Sequence, residues 1–314
     1  MAEPRVVVLM STYNGERYVA EQLRSILAQL PRHGCIAVRD DGSRDGTVAA
    51  IEALQDPRIG LSRGPNCGFG RSFLMLLANA PIDTDMVMFA DQDDVWLPDK
   101  VQRAWQHLQG LEDRAALYGS AQMLVDSSLR PLQATPPWPR GPSLPNALTE
   151  NIITGCTAAI NRPALALLQR AGVPEGVVFH DWWLYLVVSA FGTVVYDVRP
   201  SLLYRQHGGN VIGHGAGWLG RQQGVLRYLL RHDWVGILHR QVGAFLDHYG
   251  SALPPRTRDW ILCYFKVADG AAATRWRLVF TPRRWRQAFI GDIALRLLLV
   301  AYKFRLWPLP GRRL

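Results

Sequence analysis

The chain has few cysteines and no two of them close together. Cys35, Cys67, Cys156 and Cys263 are scattered over 314 residues. None forms a Cys-x-x-Cys or zinc-type spacing, so a disulfide scaffold is excluded and a reducing compartment is expected. There is no basic start followed by an apolar stretch. Met1-Ala2-Glu3-Pro4-Arg5 runs straight into Val6-Val7-Val8-Leu9-Met10, so no signal peptide is expected. Long apolar runs are missing too. The segment from Ala288 to Tyr302 is interrupted by Asp292 and Arg296, too short and too charged to cross a bilayer. Internal repeats and low-complexity tracts are absent. Acids are scarce in the last third. From Gly215 to Leu314 there are 5 Asp/Glu against 17 Lys/Arg, a net +12, while the first 214 residues carry a net −3 within the overall +9. This asymmetry divides the chain in two and predicts an anionic partner for the basic part.

What is present is a substantial apolar fraction, 48%, arranged as strands alternating with amphipathic segments. Residues 5–10 and 86–90 read as buried strands, with further strands over 35–38 and about 59–61. Helical spacing over 18–29, 47–54 and 71–78 separates them, and polar loops follow the strands. The alternation predicts an open parallel sheet, with loops 11–15, 40–43 and 91–94 converging on one crevice beyond the strand ends. Further on, a helix is expected from Pro98 to about residue 108 and a strand over 116–125. A proline-rich surface loop is expected over 126–145, and a strand over 152–160. A helix is expected over 162–170, another after His180, and strands over 194–198 and 202–206. Past Gly217, helical segments rich in Arg and Trp are expected over 218–232, 236–250, 257–270 and 283–304.

The chemistry concentrates in Phe89-Ala90-Asp91-Gln92-Asp93-Asp94. Three acids in four positions at the end of a buried strand repel one another unless a cation holds them. Hard oxygen ligands suit Mg²⁺ or Mn²⁺, which in turn suit a diphosphate. The competing reading is a polar loop that caps the next helix.

Ser11-Thr12-Tyr13-Asn14-Gly15, Arg39-Asp40-Asp41-Gly42-Ser43 and Asp91-Gln92-Asp93 together resemble family-2 glycosyltransferases of the GT-A fold. Phe89 to Lys100, His180 to Trp183 and Tyr204 to Asn210 look more narrowly like bacterial rhamnosyltransferases. The resemblance covers about residues 5–212. It implies an α/β GT-A nucleotide-sugar-binding fold with a mostly parallel central sheet over residues 1–212. Residues 213–314 then form a basic, Trp-rich helical region.

The resemblance also implies roles. Asp41 would accept from the N3–H of a pyrimidine, with Ser11 and Tyr13 lining base and ribose and Arg71 reaching base or phosphate. Asp91 and Asp93 would form the ribose and metal pair, with His207 as a third ligand for Mg²⁺ or Mn²⁺. Asp181 would be the general base, and Trp182 and Trp183 would wall the acceptor sugar. Each has an ordinary alternative. Asp-Gly-Ser is turn chemistry, and Arg71 could be a plain surface arginine. Asp181 could be a helix cap, His207 a loop anchor, and the tryptophans core. The five glycines between Gly208 and Gly217 suit a lid or a connector.

The expected activity is inverting, metal-dependent transfer of a sugar in bacterial surface polysaccharide synthesis, such as that of O-antigen. The donor would be a dTDP- or UDP-sugar, with L-rhamnose from dTDP-rhamnose implied by the resemblance. The acceptor would be a glycan or lipid-linked glycan. The rivals are a nucleotide-sugar hydrolase and a non-catalytic, membrane-tethered module with a relict site. In the basic region, Arg283-Arg284-Trp285-Arg286 precedes Ile290, Ile293, Leu297, Leu298 and Tyr302. This reads as an amphipathic helix for an anionic membrane surface, which predicts a cytoplasmic, peripheral protein. Helical packing or a homo-oligomer contact competes with that reading. Nucleic acid does not fit, since no recognised nucleic-acid module is present.

Overall fold

The computed structural model describes residues 3–206, 234–265 and 285–303. It opens with β1 (Val6–Thr12), α1 (Val19–Leu27), β2 (Cys35–Asp40), α2 (Thr47–Glu52), β3 (Ile59–Arg63), α3 (Phe69–Asn79) and β4 (Met86–Ala90). β1 pairs in parallel with β2 and β4, and β2 with β3. Both faces of β1 and β4 are covered, which is why they read as unbroken apolar runs. Val7, Leu9, Val87 and Phe89 face one core layer. Val6, Val8, Met10, Met86 and Met88 face the other. The alternation is the period of two that a pleated strand imposes.

The second half of the sheet is mixed. β5 (Val95–Trp96), β6 (Ala116–Val125), β7 (Pro131–Ala134), β8 (Ala159–Asn161) and β9 (Thr193–Arg205) complete the order β3-β2-β1-β4-β8-β6-β9-β5, with β7 on β6. β8 is antiparallel to β4 and β6, whereas β9 is parallel to β6. The expected strand over 152–160 is mostly a 3₁₀ turn, Gly155–Thr157, with only Ala159–Asn161 in the sheet. The expected pair over 194–206 is a single strand. Its ladder slips between Asp197 and Pro200, because proline has no N–H to give. The loop over 126–145 contains β7 and the start of α5 (Leu144–Ala147). α4 (Lys100–Leu108) begins two residues after Pro98.

α6 (Arg162–Gln169) and α7 (His180–Phe191) follow, then α8 (Trp234–Tyr249), α9 (Pro255–Phe265) and α10 (Phe289–Lys303). α7 is buried nearly all round. Val235, Leu238, Phe245, Trp285 and Leu295 join it in one continuous apolar cluster. Asn146 Nδ2 donates to the Trp285 carbonyl at 2.9 Å, and Gln287 N donates to Glu150 Oε2 at 2.8 Å. These bonds fasten the start of α10 to the α5 region.

α10 departs from the expected amphipathic pattern. Its charged pair, Asp292 and Arg296, is buried at 3% and 6% exposure with N···O 2.7 Å. Asp292 Oδ1 also accepts from Trp285 N and Arg286 N. Ile290, Ile293 and Leu297 point outward, 64%, 40% and 49% exposed. The expected segment over 218–232 and the glycine-rich stretch 208–217 lie outside the described residues.

Candidate active site

Loops after β1, β2 and β4 are laced together at the carboxyl edge of the sheet. Asn14 N donates to Ser43 Oγ at 2.9 Å, Gly15 N to Thr47 Oγ1 at 2.7 Å and Arg44 N to Asn14 Oδ1 at 2.9 Å. On the other side, Gln92 bonds both backbone groups of Tyr13. Asn14 takes φ 48°, a left-handed turn that asparagine tolerates. The expected convergence of the three loops is therefore present.

On the β2 side, Asp40 closes its own turn by accepting from Thr12 Oγ1 at 3.0 Å and Ser43 N at 2.9 Å. Asp41 is 2% exposed and its oxygens are engaged within the chain. They accept from the Arg39 guanidinium, from Cys67 N at 3.0 Å and from Gly68 N at 2.9 Å. Burial pushes its carboxyl up, but these donors outweigh burial and hold it below the usual aspartate range. Asp41 thus pins the 67–68 turn and Arg39. That differs from an acid standing open to a base, and it follows from the supply of buried donors beside it. Arg39 also donates to Ser72 Oγ at 3.1 Å, and Ser11 Oγ donates to Ser72 Oγ at 2.6 Å. Tyr13 is 45% exposed at the rim. Arg71 is exposed and lines a pocket of about 420 Å³ between the start of α3 and residues 174–178. Gly70 lets the two sides meet, since a Cβ there would lie 2.2 Å from the Val178 carbonyl oxygen.

On the β4 side the acids are crowded rather than satisfied. Asp91, Asp94 and Cys156 bring one ligand atom each within 4.8 Å of one another. Among the described residues, Asp94 Oδ2 is buried without a hydrogen-bond partner. Burial first, then the charges of Asp93 and Asp181, push the Asp91 carboxyl up to about 7. Burial, Asp93 and Asp91 push Asp94 well up as well. An orphaned buried carboxylate costs about 1–3 kcal/mol or more, and mutual repulsion adds to it. A divalent cation is the charge such a set lacks. The carboxylates of Asp91 and Asp94 are hard oxygen donors that fit Mg²⁺ or Mn²⁺, with Asp93 next to them in the chain, whereas the Cys156 sulfur is too soft to be a ligand for either ion. Lys100 is fully buried and offsets part of the charge. Its Nζ donates to the Cys156 carbonyl at 2.8 Å and to Ser201 Oγ at 3.2 Å, while burial lowers its pKa to about 8. Backbone carbonyls fix the loop: Gln22 Nε2 donates to Asp91 O and Arg205 Nε to Asp93 O, each at 2.9 Å.

Asp181 stands in the first turn of α7 and is partly buried. Its Oδ2 accepts from Gly155 N at 3.1 Å and its Oδ1 from Trp182 N at 2.7 Å. It therefore holds the turn that carries Cys156, and its charge is felt by Asp91. Burial raises its pKa to about 6, against the lowering effect of those N–H donors. Such a group is ionised at neutral pH and more basic than an exposed aspartate, as a general base requires.

Trp182 and Trp183 are corrected by the structure. Each is 1% exposed. Trp182 stacks on Trp234 at 5.3 Å and donates to the Ala147 carbonyl at 2.6 Å. Trp183 packs on Tyr249. Both indoles are core, because α7 runs between the sheet side and α8 and buries nearly its whole circumference. His207 lies outside the described residues. The sequence passed over Cys156 and the roles of Lys100, Gln92 and Arg205. A lone cysteine in a small-residue run carries no signal, but Gln92 and Lys100 lie within Phe89 to Lys100 and Arg205 within Tyr204 to Asn210.

Residues 7–168 match the family model described as glycosyl transferase family 2. The chain is similar to the dTDP-rhamnosyl transferase RfbG of Shigella flexneri, 28% identical over 246 residues, covering 72% of this chain and 80% of that one. It is also similar to the putative teichuronic acid biosynthesis glycosyltransferase TuaG of Bacillus subtilis, 25% identical over 54% of this chain and 68% of that one. Among solved structures, S. aureus TarS 1–349 in complex with UDP-GlcNAc matches with TM-score 0.60 at 15% identity, over 94% of this chain and 81% of that chain. That likeness is one of fold. Among the described residues, no helix is long and apolar enough to cross a membrane.

Proposed function

The chain belongs to glycosyl transferase family 2, and on that premise we propose an inverting, metal-dependent transfer of L-rhamnose from dTDP-rhamnose onto a hydroxyl of a glycan or lipid-linked glycan in bacterial surface polysaccharide synthesis. The enzyme is a glycosyltransferase; the donor, acceptor and metal are the proposal. The observation that carries it is the meeting of Asp181 with the β4 acids across one turn: Asp181 Oδ2 accepts from Gly155 N at 3.1 Å, and the next residue, Cys156, lies with Asp91 and Asp94 within 4.8 Å. The rhamnose assignment draws support from the likeness to RfbG.

In this scheme Ser11 and Tyr13 border the nucleoside, and Asp41 and Arg39 hold that wall in place. Arg71 reaches the base or a phosphate, and Asp91 takes the ribose. Mg²⁺ or Mn²⁺ bound by Asp93 and Asp91, with His207 as the third ligand, would offset charge on the leaving diphosphate. Asp181 takes the proton of the acceptor hydroxyl as that oxygen attacks the anomeric carbon from the side opposite the leaving group. One base and one displacement invert the configuration. Residues 1–212 form the catalytic domain. The basic region, residues 213–314, of which α8, α9 and α10 are described, brings the enzyme to an anionic membrane surface on the cytoplasmic side, where a lipid-linked acceptor would sit. The outward Ile290, Ile293 and Leu297 support that placement.

The test is a donor panel. Purified protein is given dTDP-rhamnose, UDP-GlcNAc and UDP-glucose with Mn²⁺, with and without a lipid-linked glycan, and dTDP or UDP release is followed. Acceptor-dependent dTDP release supports the proposal. Fast donor loss that ignores the acceptor would point to a hydrolase.

A further inference from the structure

Gln92 stands between Asp91 and Asp93, where a ligand motif needs only backbone. Its side chain nevertheless has a defined task. Oε1 accepts from Tyr13 N at 2.9 Å, and Nε2 donates to Tyr13 O at 3.0 Å. The amide thus pairs with one residue as a neighbouring strand would, using both a donor and an acceptor. The approach is so close that a side chain at residue 15 would displace the amide: a Cβ on Gly15 would lie 2.2 Å from Gln92 Oε1 and 2.9 Å from Nε2.

Both ends of this tie are anchored. The β1 loop is fixed to the β2 loop through Asn14, Ser43, Gly15 and Thr47. The backbone on either side of Gln92 is gripped by Gln22 at the Asp91 carbonyl and by Arg205 at the Asp93 carbonyl. Between these fixtures Tyr13 offers a 45% exposed ring to the crevice. A shift of its backbone would break both bonds to Gln92, whose own backbone is continuous with Asp91 and Asp93.

We propose that Gln92 is a positioning residue that couples Tyr13 to the acid loop, so that a nucleoside at Tyr13 and a divalent cation at Asp91 and Asp93 strengthen each other's binding. The inference rests on the donor site described above. A cation that draws the two carboxylates together moves the backbone that carries Gln92, and the amide passes the movement to Tyr13. Such coupling is reciprocal by thermodynamic necessity.

The test uses the full chain with 3-fluorotyrosine incorporated, the Tyr13 resonance being assigned by its loss in Tyr13→Phe. Without any nucleotide, the wild-type Tyr13 line should be narrow and should shift when Mg²⁺ is added. In Gln92→Met, which keeps the length and loses the amide, the line should broaden and stop responding to Mg²⁺. Gln92→Ala provides a second variant. An unchanged line and response in both variants would overturn the tie. In a second arm, calorimetry measures thymidine and uridine, which lack the diphosphate, with and without Mg²⁺. The wild type should bind its nucleoside about fivefold tighter with the cation. In Gln92→Met that ratio should fall to about one, with Tm moved by no more than about 2 °C. An equal ratio in wild type and variant would overturn the coupling. A wild type that binds neither nucleoside, yet whose Tyr13 line follows Mg²⁺ through Gln92, would refute the donor site and uphold the tie.

Discussion

Asp41 and Asp91 stand at the ends of the two strands that flank β1, and the fold treats them in opposite ways. Asp41 is surrounded by donors: a guanidinium, two backbone N–H groups and a thiol, which together hold its pKa down. Asp91 is surrounded by burial and like charge, which push its pKa to about 7. In the sequence both lie in similar acidic turns, Asp40-Asp41-Gly42 and Asp91-Gln92-Asp93. A carboxylate satisfied by its own chain builds the wall of a site. One crowded by burial and like charge is the place where a cation's charge is needed.

The largest expected effect tests what the unsatisfied side is for. Asp181→Asn should lower kcat by about 10²–10⁴-fold, the range of a general base, while nucleoside diphosphate affinity stays within about twofold. Steady-state kinetics with calorimetry checks this, and unchanged turnover would remove Asp181 as the base. The next effect separates the two acids by stability. Asp41→Ala should cost about 3–5 kcal/mol in urea unfolding, because it strands the buried Arg39. Asp91→Asn in metal-free protein at pH 7.5 should instead stabilise by about 1–2 kcal/mol, allowing for solvent screening. Equal losses in both variants would break the comparison.

A smaller effect follows from pH. In the folded chain, burial holds the Asp91 and Asp181 carboxyls at about 7 and about 6, above the ordinary aspartate value of about 4. Between those values the folded chain therefore binds more protons than the unfolded one. These groups make the metal-free protein lose stability as pH rises from about 4 to 7. Mn²⁺ should then raise Tm more at pH 7.5 than at pH 5. The same Asp181 value predicts that kcat climbs with pH through about 6. The smallest effect concerns α10. Leu297→Asp should reduce flotation with anionic vesicles at low salt while leaving soluble-acceptor kinetics unaltered.

Much of this arrangement was legible in the sequence because it depends on local pattern. The runs at Val6–Met10 and Met86–Ala90 had to be doubly buried strands, and the polar turns after them had to share an edge. What was hidden depends on tertiary company. Trp182 and Trp183 beside an acid looked like site residues, but the packing of α8 against α7 made them core. Ile290 and Ile293 could be read as one apolar face. Only the burial of Asp292 with Arg296, against Trp285, shows which way that face turns. Cys156 joins the acids solely because a 3₁₀ turn replaces the expected strand there.

The account depends on the β4 acids being a cation site opposite Asp181. The direct measurement is Mn²⁺ titration of metal-free protein followed by electron paramagnetic resonance, on wild type, Asp91→Asn, Asp93→Ala and Asp41→Asn. One saturable Mn²⁺ per chain is expected, lost in the Asp91 and Asp93 variants and retained in Asp41→Asn. No saturable binding in the wild type, or binding indifferent to Asp91 and Asp93, would contradict it.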